Sequence, residues 1–170
     1  MEILIDERTI AAQIKRSAAA LSERYSGAPL LFVSVLKGAF IFMADYIRNV
    51  DIPCEAAFMA VSSYGDSTES SGDVKIRLDI DRDISKYHVV ILEDITDTGR
   101  TLAKVVDMLR DRHPLSLEVI SLLDKPGRRV NDFVPDEALF TIPDLFVVGY
   151  GLDYAEKFRN LPYIAVLTAQ

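Results

Sequence analysis

Val89-Val90-Ile91-Leu92-Glu93-Asp94-Ile95-Thr96-Asp97-Thr98-Gly99-Arg100-Thr101 sets a short apolar run directly before a loop with three carboxylates and a Thr-Gly-x-Thr turn. Consecutive aliphatic residues of this length fit a strand buried on both faces, and beyond the loop Leu102, Val105, Val106 and Leu109 recur at helical spacing. Strand, glycine turn and helix start in that order make an anion site. Backbone N–H groups and the helix macrodipole favour a phosphate there, and Gly99 lets it come close. Glu93, Asp94 and Asp97 would repel a phosphate laid over them, so they call for another partner; a sugar hydroxyl pair, a metal ion or a proton donor suits a carboxylate. The plain alternative is a strand followed by an acidic helix cap. A cap uses one such residue and leaves the other two acids and the Thr-Gly-x-Thr turn unexplained.

The flanking sequence repeats the same grammar. Ile10, Ile14, Ala18, Leu21 and Tyr25 mark a first amphipathic helix, ended at Ser26-Gly27-Ala28-Pro29. Leu30 to Leu36 reads as a buried strand that Lys37-Gly38 closes before a helical stretch from Ala39 to Arg48. Another strand follows from Cys54 to Val61, then a polar segment over residues 62–73 with almost nothing to bury, which predicts a mobile lid. Val74 to Ile80 alternates like an edge or hairpin strand, and Leu117 to Leu123, Leu145 to Val148 and Ile164 to Leu167 complete the series, with a helical turn expected from Tyr154 to Arg159. The βα alternation predicts an α/β fold: a mostly parallel sheet flanked by helices, with ligands at the carboxyl ends of the strands.

Composition narrows the function. With 19 basic against 26 acidic residues and a net charge of -7, the surface as a whole repels nucleic acid, and no apolar stretch reaches the length of a membrane helix. Cys54 lies in an apolar run and reads as a buried thiol. The N-terminal residues lack a basic leader before an apolar region, so a cytoplasmic protein is expected. The 170 residues suit one domain. No GxxxxGK[ST] or GxGxxG motif is present, which removes the P-loop and dinucleotide readings.

The stretch from Val89 to Thr101 resembles the signature of the type I phosphoribosyltransferases: hydrophobic residues, two acids, then D-[ST]-G-x-[ST]. Four further segments resemble one branch of that family, the hypoxanthine-guanine phosphoribosyltransferases, from about Leu30 to Leu167. The resemblance implies purine salvage from phosphoribosyl pyrophosphate and a 6-oxopurine base, dependent on magnesium (Mg2+), by a single domain with a small hood built from the terminal segments, usually as a homodimer or homotetramer. It places the ribose phosphate on Glu93, Asp94, Thr98, Gly99, Arg100 and Thr101, with Asp97 as general base. Leu36-Lys37-Gly38 resembles the pyrophosphate loop, joined by Arg159 and Arg129; Ser63-Tyr64 opens what resembles the flexible loop over the site. Lys125 falls where a lysine meets the exocyclic oxygen of the purine, Phe146 where an aromatic stacks on the base, Val147 where backbone reads its edge. Asp153, with Glu93 and Asp94, is the implied metal set. Taken singly, Lys37 reads better as a solvated strand end and Phe146 better as a core aromatic, with a surface loop the plain reading of Ser63-Tyr64. The joint order of the segments favours the site, and the roles of Arg128 and Arg129 after Gly127 stay open.

Two rivals remain at this level. One is an RNA-binding regulator on the same fold, like the pyrimidine operon attenuators, which the acidic balance and the Lys125 segment disfavour. The other is a xanthine or orotate phosphoribosyltransferase.

Overall fold

The computed structural model describes residues 1–63 and 74–168. Its strands are β1 (Glu2–Ile5), β2 (Leu30–Leu36), β3 (Glu55–Ser63), β4 (Val74–Leu78), β5 (His88–Thr96), β6 (Ser116–Asp124), β7 (Glu137–Thr141), β8 (Val147–Val148) and β9 (Ile164–Val166). The helices are α1 (Glu7–Arg24), α2 (Phe40–Ile47) and α3 (Arg100–Arg110). Six strands form the main sheet in the order β4-β3-β2-β5-β6-β7, parallel except for β4, which runs antiparallel to β3. β1, β9 and β8 form a separate antiparallel sheet from the two ends of the chain.

Period-two alternation along the central strands splits the core into two layers. Phe32 of β2 and Val90 and Leu92 of β5 pack with Ile10, Ile14 and Leu21 of α1 and Phe42 and Tyr46 of α2. Leu31 and Val33, then Val89 and Ile91, point the other way to Leu102, Val105 and Leu109 of α3. Strands covered on both faces explain the unbroken apolar runs. Asp6 caps α1 by accepting from the Thr9 N–H at 2.8 Å, and inside the first layer the Tyr46 hydroxyl lies 2.7 Å from Ser17 Oγ.

The sequence reading missed two strands. β1 is the apolar start of the chain, and β7 lies at the edge of the main sheet with only Leu139 fully buried. The helical turn expected over 154–159 is corrected. Ala155, Glu156 and Phe158 have φ of 51°, 64° and 77°, which a right-handed helix forbids, and Tyr154 pairs instead with Lys157 across a tight bridge. Among the described residues no helix is long and apolar enough to cross a membrane. The lid expected over 62–73 falls almost wholly outside the described residues, Tyr64 included.

Candidate active site

The carboxyl ends of β2, β5 and β6 converge on one side of the sheet, as the parallel topology requires. Thr98 to Thr101 turns from β5 into α3 with Gly99, at φ 78°, in the cap position, and Thr98 Oγ1 lies 3.4 Å from the Arg100 N–H that opens the helix. The three acids before the helix therefore do not serve as its cap, which disposes of the plain alternative. A cavity of about 270 Å³ opens over this turn, lined by Glu93, Asp94, Thr98, Gly99 and Thr101.

Glu93 and Asp94 are adjacent acids at the carboxyl end of β5. Burial and the adjoining acid push the Glu93 carboxyl well above the usual range, and burial raises Asp94 as well. Asp94 also accepts from the Ile95 N–H at 2.8 Å, which fixes its side chain. Gly38 follows a cis Leu36–Lys37 peptide and lies so close to Asp94 that a Cβ there would collide with its Oδ2; a Cβ on Gly151 would in turn strike the Gly38 carbonyl. Glycine at both positions lets three chain segments meet.

A second cavity, about 490 Å³, shares Ile95 and Asp97 with the first and is bounded by Lys125, Arg128, Phe146 and Val147. Lys125 is only 7% exposed and has no carboxylate partner among the described residues. A buried cation left so needs an acceptor from elsewhere. Phe146 is 54% exposed, with Tyr154 edge-on to it at 5.8 Å, so it is not a core aromatic. Val147 is buried in β8, and Tyr150 ties the following loop to α2 by donating to Asp45 at 2.6 Å.

Lys37 and Arg159 share Glu156, at 3.1 and 3.4 Å, and Arg159 pairs with Asp153 at 2.9 Å. The Arg159 Nε is buried without a partner among the described residues. Arg129, expected beside these two, makes different contacts. Its guanidinium reaches buried Asp124 and the Asp97 carbonyl, bracing the turn from beneath. The three carboxylates of the expected metal set do not come together among the described residues. Asp153 is held by Arg159 and by the Glu156 N–H, and among the described residues no three His, Cys, Asp or Glu side chains converge to hold an ion. Glu93 and Asp94 alone still fit Mg²⁺, which keeps several waters and needs only one or two carboxylates beside substrate oxygens.

Sequence reasoning missed Glu156, Asp124 and Asp144. Glu156 is the acid between Lys37 and Arg159; Asp124 immediately precedes Lys125, a charged neighbour at the end of an apolar strand that was there to be noticed.

A parallel α/β sheet with a phosphate turn at one strand end, a buried carboxylate pair and a cavity between a lysine and an exposed aromatic defines a nucleotide-handling enzyme fold. Residues 2–155 match the phosphoribosyl transferase domain family, and the chain belongs to it. It is 48% identical to the hypoxanthine-guanine phosphoribosyltransferase of Bacillus subtilis, covering 98% of this chain and 92% of that one. It is 49% identical to the hypoxanthine phosphoribosyltransferase of Escherichia coli, covering 96% and 93%. A crystal structure of a hypoxanthine phosphoribosyltransferase from Staphylococcus aureus superposes with a TM-score of 0.95 at 45% identity, over 99% of this chain and 91% of that one.

Proposed function

We propose that this chain is a purine-salvage enzyme that transfers the phosphoribosyl group of phosphoribosyl pyrophosphate to hypoxanthine or guanine, giving IMP or GMP and pyrophosphate. The observation that carries the reading is Lys125, a buried lysine without a carboxylate partner among the described residues, facing Phe146 across a cavity that adjoins the phosphate turn. A lysine ammonium only donates hydrogen bonds, so it suits the 6-oxo group of hypoxanthine or guanine and rejects the 6-amino group of adenine.

The ribose 5-phosphate sits on the N–H groups and hydroxyls of Thr98 to Thr101, with Arg100 in the same turn, and Glu93 and Asp94 hold the ribose hydroxyls. The purine stacks on Phe146 with its edge against the Val147 backbone. Asp97, which lines both cavities, takes the proton that the purine nitrogen loses as it bonds to the ribose carbon. Lys37, the Gly38 backbone and Arg159 receive the leaving pyrophosphate, for which Glu156 yields its two cations. Glu93 and Asp94 would hold Mg²⁺, with Asp153 as a further carboxylate for it, and the ion would supply positive charge for the departing pyrophosphate. The whole chain acts as one catalytic domain, with the β1-β9-β8 sheet as its hood and a homodimer or homotetramer in the cytoplasm as the working form.

Pyrophosphate release measured with hypoxanthine, guanine, xanthine and adenine tests the proposal. Turnover of hypoxanthine or guanine with adenine more than tenfold slower is expected; adenine within about tenfold of hypoxanthine, or preferred xanthine, would overturn it.

A further inference from the structure

Arg128 and Arg129 are adjacent in sequence, yet both reach the same aspartate. Arg129 donates to the Asp97 main-chain carbonyl while its other nitrogen is anchored on Asp124, so it fixes the backbone. Arg128 reaches the side chain: its Nε donates to Asp97 Oδ1 at 3.1 Å, and its Nη1 lies 3.7 Å from Asp144 Oδ2. Asp144 stands two residues before Phe146, and Asp97, Arg128, Asp144 and Phe146 all border the base cavity. The guanidinium thus spans from the carboxylate after β5 to the segment that presents the aromatic face. A 3₁₀ turn, Pro126–Arg128, sets the span, because the Arg128 N–H donates to the Lys125 carbonyl at 3.0 Å and ties the turn to the lysine on the cavity wall.

We infer that Arg128 is a positioning residue for the transfer reaction, a two-ended clasp that orients the Asp97 carboxylate over the base cavity and holds it in register with Phe146. This rests on the assignment of Asp97 as general base. With Oδ1 held by Arg128, the proton of the purine nitrogen goes to Oδ2, and the electron pair left on that nitrogen forms the bond to the ribose carbon as pyrophosphate departs. The clasp is about half exposed on the arginine side, so its contribution to stability is small and its effect falls on geometry.

The experiment is a double-mutant cycle on the full chain with hypoxanthine and phosphoribosyl pyrophosphate, comparing wild type, Arg128→Gln, Asp97→Asn and the double variant, with Arg128→Lys alongside. Arg128→Gln is expected to lower kcat about tenfold, leave KM for phosphoribosyl pyrophosphate within about twofold and shift Tm by no more than about 2 °C. In the Asp97→Asn background the same substitution costs nothing further, because the carboxylate it orients is gone. Arg128→Lys keeps the charge without the two-ended fork and falls between wild type and Gln. Multiplying effects in the double variant, an Arg128→Gln enzyme at wild-type kcat, or an Arg128→Lys enzyme fully equal to wild type would each overturn the clasp while leaving Asp97 in its role. A near-wild-type Asp97→Asn enzyme would remove the general base itself and the clasp with it, and a wild-type chain without transfer activity would instead remove the proposed function.

Discussion

The two ends of the main sheet are both polar, but they use polarity differently. At the amino end, the His88 Nδ1 lies 2.7 Å from Ser116 Oγ, the Tyr25 ring packs on His88 at 5.1 Å, and Arg24 pairs with Glu118 at 3.1 Å while lying over the Tyr25 ring. Each charged group there has a partner from the protein, and the cluster holds α1 to the strands. At the carboxyl end two acids adjoin each other, a buried lysine has no carboxylate partner among the described residues, and Arg159 keeps a buried Nε unpaired. Groups arranged against their own electrostatic interest mark where a ligand supplies what the fold withholds.

The largest effect expected at the carboxyl end is on Asp97. The structure removes its possible role as a helix cap, since Gly99 holds the cap position of α3 and the Asp97 carboxylate is engaged by Arg128. Asp97→Asn keeps size and most hydrogen bonding but cannot accept the proton, so kcat for nucleotide formation should fall by about 10²-fold to 10⁴-fold. Affinity for phosphoribosyl pyrophosphate should change far less. Steady-state rates beside direct binding measure both, and an Asn variant with near-wild-type kcat would break the functional side of the comparison.

Lys125 gives the next effect and carries a double signature. Lys125→Met removes a buried charge that has no carboxylate partner, so Tm should rise, while kcat/KM for hypoxanthine drops by roughly 10-fold to 10²-fold with the lost donor. Thermal unfolding and initial rates on the same preparation decide it. A variant that loses both stability and activity would place Lys125 among the groups the fold has already satisfied.

How much of this was legible in the sequence depended on whether the determinants were contiguous. The phosphate turn, its three acids and the helix after it lie in one stretch, and period-two and 3.6-residue patterns recovered the central strands and all three helices. Edge strands carry weak patterns because one side faces water: β7 buries little beyond Leu139, and β1 is largely exposed. The segment over 154–159 was expected to form a helical turn; its left-handed residues are set by tertiary contacts that spacing does not encode. Arg128 and Arg129 could not be told apart for a similar reason. Two adjacent arginines look equivalent in sequence, and only the position of Asp124 beneath the turn tells which of them is buried.

The close approach of Gly38 to Asp94 offers a third test, with an effect mostly on folding. Gly38→Ala drives a methyl group into the Asp94 carboxylate, and overpacking of this kind costs about 1–3 kcal/mol. Chemical denaturation should show that loss, and kcat/KM should fall with it because the displaced carboxylate is one proposed to hold the ribose. An alanine variant of wild-type stability would mean that the loop carrying Lys37 is not seated on Asp94 as described.

The smallest effect tests the quiet end of the sheet. Glu118 is the imperfect member of that cluster: Arg24 pairs with Oε2, but Oε1 is buried without a partner, and burial raises the carboxyl above its usual range despite the arginine. A carboxyl raised in the folded state binds its proton more tightly there than in the unfolded chain. Its stabilising contribution is therefore complete below the unfolded value of about 4.3 and is lost as pH rises through the folded one. Glu118→Gln has no proton to lose, so its Tm relative to wild type should climb between pH 4 and pH 8, by an amount corresponding to no more than about 1 kcal/mol. The lost Arg24 pair subtracts from the variant above the titration, and being half exposed on the arginine side it subtracts little. Thermal melts of both proteins across that range give the slope directly. A difference that stays flat or falls with pH would mean that Arg24 fully compensates the buried carboxylate, and the amino end would then be as completely satisfied as its other pairs are.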